Sequence, residues 1–142
     1  MTAHTTHIGD ASVLVVAKRV TDAERKRARA TIAALEDDTG PAPNRDELAS
    51  AVRTVCAMLA QNNPGGSVEL RVPPFAAVQL GIGERGRHTR GTPPNVVQTD
   101  AITLLRLAGG SLHWVDARAE HVVQASGIHA DLGSVLPLPE FR

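Results

Sequence analysis

Little in this sequence can stack, staple or repel. Cys56 stands alone, so no intramolecular disulfide can form and a secreted, cross-linked fold is not expected. Phe75, Trp114 and Phe141 are the only aromatic residues. Any apolar pocket must therefore be walled by Val, Leu, Ile and Ala, which suit alkyl groups better than a ligand that needs ring stacking. Lys plus Arg and Asp plus Glu both number 15. A sequence-independent nucleic-acid binder carries a basic excess to displace counterions, so no nucleic-acid partner is expected. No apolar run reaches the length of a membrane span. The run Val13-Leu14-Val15-Val16-Ala17 has Asp10 before it and Lys18-Arg19 after it, the reverse of a signal peptide, which makes a cytoplasmic protein the expectation.

What is present is an ordinary core. A chain of 142 residues, 42% apolar, fits one domain and can bury about two-thirds of its unfolded surface. Residues 1–20 read as a disordered or partly ordered lead-in with a possible strand at the apolar run, and residues 21–142 as a single domain. His4 and His7, in that lead-in, read as solvated rather than metal-bound.

Two helices are expected first. Thr21 or Asp22 can cap one whose apolar positions are Ala28, Ile32 and Leu35, with Arg25, Lys26, Arg27 and Arg29 on a solvated face. Asp37 and Asp38 oppose the dipole of a helix end, so the helix should finish before them, ahead of the Thr39-Gly40-Pro41 stop. Asn44 with Glu47 three residues later has the spacing of a capping box. It opens a helix with a Leu48, Val52, Val55, Leu59 stripe and Cys56 beside it, closed by Asn62-Asn63-Pro64-Gly65-Gly66. Cys56 reads as a packed thiol rather than a nucleophile.

The period then becomes two. Val68, Leu70 and Val72 alternate with Glu69 and Arg71, Pro73-Pro74 interrupts, and Val78, Leu80 and Ile82 resume on one face. Residues 81–91 suggest an exposed hairpin loop, followed by a short strand through Val96 and Val97. Asp100, or Thr99 before it, caps a helix that stops at Gly109-Gly110. Ala101, Ile102, Leu104, Leu105, Leu107 and Ala108 are apolar there, and only Thr103 and Arg106 are polar. That is too apolar for a helix with one wet side, so something besides the sheet must cover it. Ser111 can cap a short helix carrying Trp114, Val115 and Ala117. Residues 121–126 read as a strand, and a last short helix places Leu132, Val135 and Leu136 on one face.

This order of elements resembles the sterol carrier protein family. The residues that carry the likeness are Thr99-Asp100-Ala101-Ile102-Thr103-Leu104-Leu105-Arg106-Leu107, then Gly110-Ser111-Leu112, then Val122-Val123-Gln124-Ala125-Ser126-Gly127. More narrowly, the chain is similar to a stand-alone actinobacterial group of that family. The specific strings are Val68-Glu69-Leu70-Arg71-Val72-Pro73-Pro74-Phe75 and Arg87-His88-Thr89-Arg90-Gly91-Thr92-Pro93-Pro94-Asn95-Val96-Val97. The likeness covers about half the chain, roughly residues 67–139. It implies an α/β (α+β) fold: an antiparallel sheet of four or five strands with helices over one face, enclosing an apolar tunnel. The implied activity is non-covalent binding and transfer of lipids, sterols or fatty-acyl groups, with no catalytic motif to carry over. Each buried methylene contributes about 0.8 kcal/mol to such binding. Period and fold position make Val78, Leu80, Val97, Ile102, Leu104, Leu105, Trp114, Val123, Leu132 and Leu136 the expected wall of that tunnel.

Other chemistry is weaker. Gly81-x-Gly83-x-x-Gly86 matches a dinucleotide fingerprint, but Thr92-Pro93-Pro94 leaves no room for the helix whose N-terminus would hold the phosphates. Arg85, Arg87, His88 and Arg90 concentrate positive charge on one loop and form a candidate anion contact for a headgroup, a CoA-like phosphate or an acidic partner. His113 with Asp116, and His129 with Asp131, do not amount to the three or four converging ligands of a zinc site. No metal or cofactor is expected. Ser111 and Ser126 lack a nucleophile elbow, so a non-enzyme is expected. The alternative is a protein-interaction module with a filled-in version of the fold, using the Arg-rich loop as its surface. Neither ligand identity nor oligomeric state is written in these patterns.

Overall fold

The computed structural model describes residues 19–83 and 95–142, and the backbone of residues 5–7 and 13–15. Within the lead-in, β1 (Thr5–His7) pairs with β2 (Val13–Val15), the second of them at the apolar run.

Helix α1 (Asp22–Leu35) starts at Thr21, whose hydroxyl accepts from the Glu24 N–H while Glu24 accepts from the Thr21 N–H. This reciprocal cap satisfies two helix-end donors at once. The helix stops before Asp37, where the carboxylate bends the chain by accepting from both the N–H and the hydroxyl of Thr39. Helix α2 (Arg45–Asn62) opens on the expected Asn44–Glu47 box. Its second half is buried on nearly every side, with Val52, Val55, Cys56, Met58 and Leu59 all enclosed. A single stripe does not describe it, because α2 packs against the sheet, α1 and α3 together.

Strands β3 (Val68–Val72) and β4 (Ala76–Leu80) form an antiparallel hairpin across Pro73-Pro74. Strand β5 (Val96–Thr99) corrects the expected topology. It pairs parallel with β3 rather than antiparallel with β4. Because β4 occupies one edge of β3, the next strand takes the other edge and runs in the same direction. The connection after β4 is thus a crossover and not a hairpin. β6 (Val123–Ser126) completes the sheet antiparallel to β5, and the strand order is β1-β2-β4-β3-β5-β6. The sheet is mixed: β2 also joins β4 in parallel.

Helix α3 (Ala101–Gly109) is capped by Asp100, which accepts from the Thr103 N–H and hydroxyl at 2.9 and 2.8 Å. Thr103 is buried by this arrangement instead of facing water. Helices α1 and α2 supply the cover that α3's composition demands. A methyl at Gly109 would meet Ile32 of α1 at 2.6 Å, so the residue serves close helix approach as well as termination. Gly110 follows with φ of +90°, a conformation that favours glycine.

Helix α4 (Trp114–Ala119) begins at His113, which makes no side-chain cap. Ser111 does not cap it; its hydroxyl donates to Glu36 at 2.9 Å. The expected last helix is absent. Residues 132–136 make a single turn in which the Val135 and Leu136 N–H groups both return to the Leu132 carbonyl. Pro137 and Pro139 cannot supply the donors that a longer helix needs there. The chain continues to a short 3₁₀ helix (Pro139–Phe141), and the Leu138 N–H binds the Ala108 carbonyl at the end of α3. Leu138 and Phe141 thereby enter the core. Arg29 holds this segment by donating to the Glu140 carbonyl at 3.1 and 3.3 Å, and its guanidinium lies over the Phe141 ring. Among the described residues no helix is long and apolar enough to cross a membrane.

Candidate functional site

The expected wall residues divide into three sets. Val78 and Leu80 on β4, Val97 on β5, Val123 on β6, Leu104 and Leu105 on α3, and Leu132 form one buried cluster. Six of these seven are at most 1% exposed and Val123 is only 5% exposed. A side chain bordering a void large enough for water would keep accessible area, so these residues fill space rather than line it. Ile102 sits elsewhere. It is 40% exposed, because Asp100 and the cover from α1 and α2 turn the other flank of the first turn inward.

Trp114 and Leu136 make the third set. They share a surface cleft of about 190 Å³ with Leu107, Leu112, His113, Val115, Gly133 and Pro137. The sequence places each residue for a local reason. α4 carries Trp114 at its first position, with Ala117 one turn on facing the core. The Asp131 carboxylate takes the Gly133 N–H at 2.7 Å and turns the chain so that Gly133 passes close over the indole. Arg118 lies over the Trp114 ring at 5.9 Å. Leu107, Trp114 and Leu136 belong to the core cluster, whereas Val115 is 75% exposed. The cleft thus runs from solvent to the core surface through apolar side chains.

A larger groove of about 660 Å³ lies between α1 and the start of α2, lined by Ala30, Thr31, Ala34, Pro41, Ala42 and Pro43, with Arg27, Asp37, Asp46 and Glu47 at its edge. No periodic signal points to it, because its floor is small residues on one helix and a proline-rich turn. Glu47 and Asp37 are already occupied by their own local hydrogen bonds. Those Thr39 bonds, the hydroxyl's above all, hold the Asp37 carboxyl below its ordinary pKa.

Arg85, Arg87, His88 and Arg90 lie outside the described residues. Among the described residues no cluster of three His, Cys, Asp or Glu could hold a metal ion. Cys56 is fully buried, and burial pushes its thiol up to about 12. A thiolate is therefore inaccessible near neutral pH. The model of a family described as "Bacterial SCP ortholog" matches residues 44–138. No curated protein matches the chain.

Proposed function

Given that the chain belongs to this bacterial sterol-carrier-like family, we propose that it is a non-catalytic module that binds an apolar ligand of lipid, sterol or fatty-acyl class, admitting it at the Trp114–Leu136 cleft. The observation that carries this reading is the continuity of that cleft, through Leu107, Trp114 and Leu136, with the core. At about 190 Å³ it is smaller than the roughly 300–1,000 Å³ of ordinary ligand sites. A long chain enters only as Trp114 and Leu136 move apart. Eight methylenes would contribute about 6 kcal/mol before ordering costs, which sets the gain available for that movement. The expected cytoplasmic location and the absence of catalysis go with this reading.

The test uses the chain's sole tryptophan as a probe. Native mass spectrometry on protein purified without detergent should show a lipid adduct, and decanoic acid should shift Trp114 emission saturably. Val115→Asp should weaken that titration without altering the fold. No adduct and an emission that decanoic acid leaves unmoved would defeat the proposal.

A second reading is favoured by the packing of Leu80, Val97, Leu104 and Leu105, which leaves no interior space beside them. On this reading the fold is filled in, and the chain is a protein-interaction module whose contact surface is the Arg85–Arg90 loop. Under it the same experiments show no adduct, and Arg87→Ala with Arg90→Ala abolishes capture of an acidic partner.

A further inference from the structure

β6 pairs with β5, and no described strand lies beyond it. Which of its backbone groups are left unpaired follows from a hydrogen bond two strands away. The Glu69 N–H donates to the Asn95 carbonyl at 3.0 Å, and Glu69 stands opposite Val96 in the parallel β3–β5 ladder. In such a ladder a residue bonds to the two neighbours of its opposite number. Asn95, Val97 and Thr99 therefore turn their backbone groups toward β3, and Val96 and Gln98 turn theirs toward β6. There they meet Ser126 and Gln124. The N–H and C=O of Val123 and Ala125 consequently point outward from the sheet. The Val122 carbonyl, on the same side as those of Gln124, accepts the Thr99 hydroxyl at 2.8 Å, which agrees with this assignment.

This edge is a short strand, and it lacks the charged and proline guards common on such edges. Residues 122–128 read Val-Val-Gln-Ala-Ser-Gly-Ile, without lysine, proline or an acidic side chain. Val122 is 40% exposed and Ile128 90% exposed at its two ends. We propose that β6 pairs antiparallel with β6 of a second copy of the chain, about a two-fold axis at Gln124. Opposed residues of an antiparallel pair project to the same face. Val123 and Ala125 share the inner face, so Val123 meets the second copy's Ala125 and Gln124 meets its own symmetry mate. Val123 and Ala125 then exchange four backbone hydrogen bonds across the axis, and two six-stranded sheets become one. An uncharged strand meets itself without like-charge repulsion, and the two-fold closes the assembly at a dimer.

Sedimentation velocity over a wide concentration range should show a monomer–dimer equilibrium. Ala125→Pro removes an outward donor while leaving the β5 ladder intact, since proline is tolerated where an edge N–H faces solvent. It should be monomeric with an unchanged circular dichroism spectrum. Gln124→Lys and Gln124→Glu each set like charges across the axis and should weaken dimerisation about five- to tenfold at low salt. An equal mixture of the two should restore it. A wild-type chain that stays monomeric throughout overturns the proposal and leaves this edge to a strand of some other protein. A dimer indifferent to all three substitutions overturns it too.

Discussion

Helices α3 and α4 follow one another in the chain and are treated oppositely by the fold. α3 has a doubly bonded Asp100 cap, a left-handed glycine behind it, and cover from α1, α2 and the segment at Leu138. α4 is six residues long, has no side-chain cap, and leaves Val115 in solvent. The contrast separates the part of the molecule that holds the fold from the part at which the proposed function places ligand entry. Leu104 and Leu105 have no open neighbour. Trp114 has a cleft on one side and the core on the other.

Substitutions can break or sharpen this contrast. The largest effect is expected at Leu104→Ala, which leaves a cavity where nothing can collapse easily and should cost about 3–5 kcal/mol by denaturant unfolding. Cys56, on the buried side of α2, gives a pH-dependent counterpart. Its folded pKa is raised from 9.0 to about 12 because burial disfavours the thiolate. The unfolded chain therefore releases its proton first. The stability contribution is complete below pH 9 and is lost as pH rises toward 12, at about 1.4 kcal/mol per unit. Comparing wild type with Cys56→Ala over that range checks the sign: the difference should shift in favour of the variant. Asp100→Ala should cost about 1–2 kcal/mol through the lost cap, whereas His113→Ala, with no cap bond to lose, should fall well below that. Val115→Asp should change unfolding by no more than about 0.5 kcal/mol. Only the Trp114 titration should register it.

Local chemistry was the readable part of the sequence. Caps at Thr21, Asn44 and Asp100, the alternation through Val68–Val72, and the stop at Gly110 each depend on neighbours a few residues away, and the elements stand where those signals put them. Partner choice depends on distant residues and was not readable. Period two gives the face of β5 but not its neighbour, so the parallel pairing with β3 was missed. The same limit explains Ile102 and Thr103. Composition says that α3 is covered, yet only the positions of α1 and α2 decide which flank is left outside. At the C-terminal end, the apolar spacing of Leu132, Val135 and Leu136 resembles a helix, but flanking prolines allow one turn and hand the burial to Leu138 and Phe141. Of the expected wall, Trp114 and Leu136 meet in a cleft because both border the short, half-covered α4, a consequence of tertiary packing that spacing does not encode.

The tether between Leu138 and the end of α3 has a consequence for synthesis. On a ribosome, the greasiest helix emerges well ahead of the residues that seal its final flank. Until Leu138, Glu140 and Phe141 have cleared the exit and met Ala108 and Arg29, that flank stays wet, and the nascent chain presents a sticky strip to any chaperone nearby.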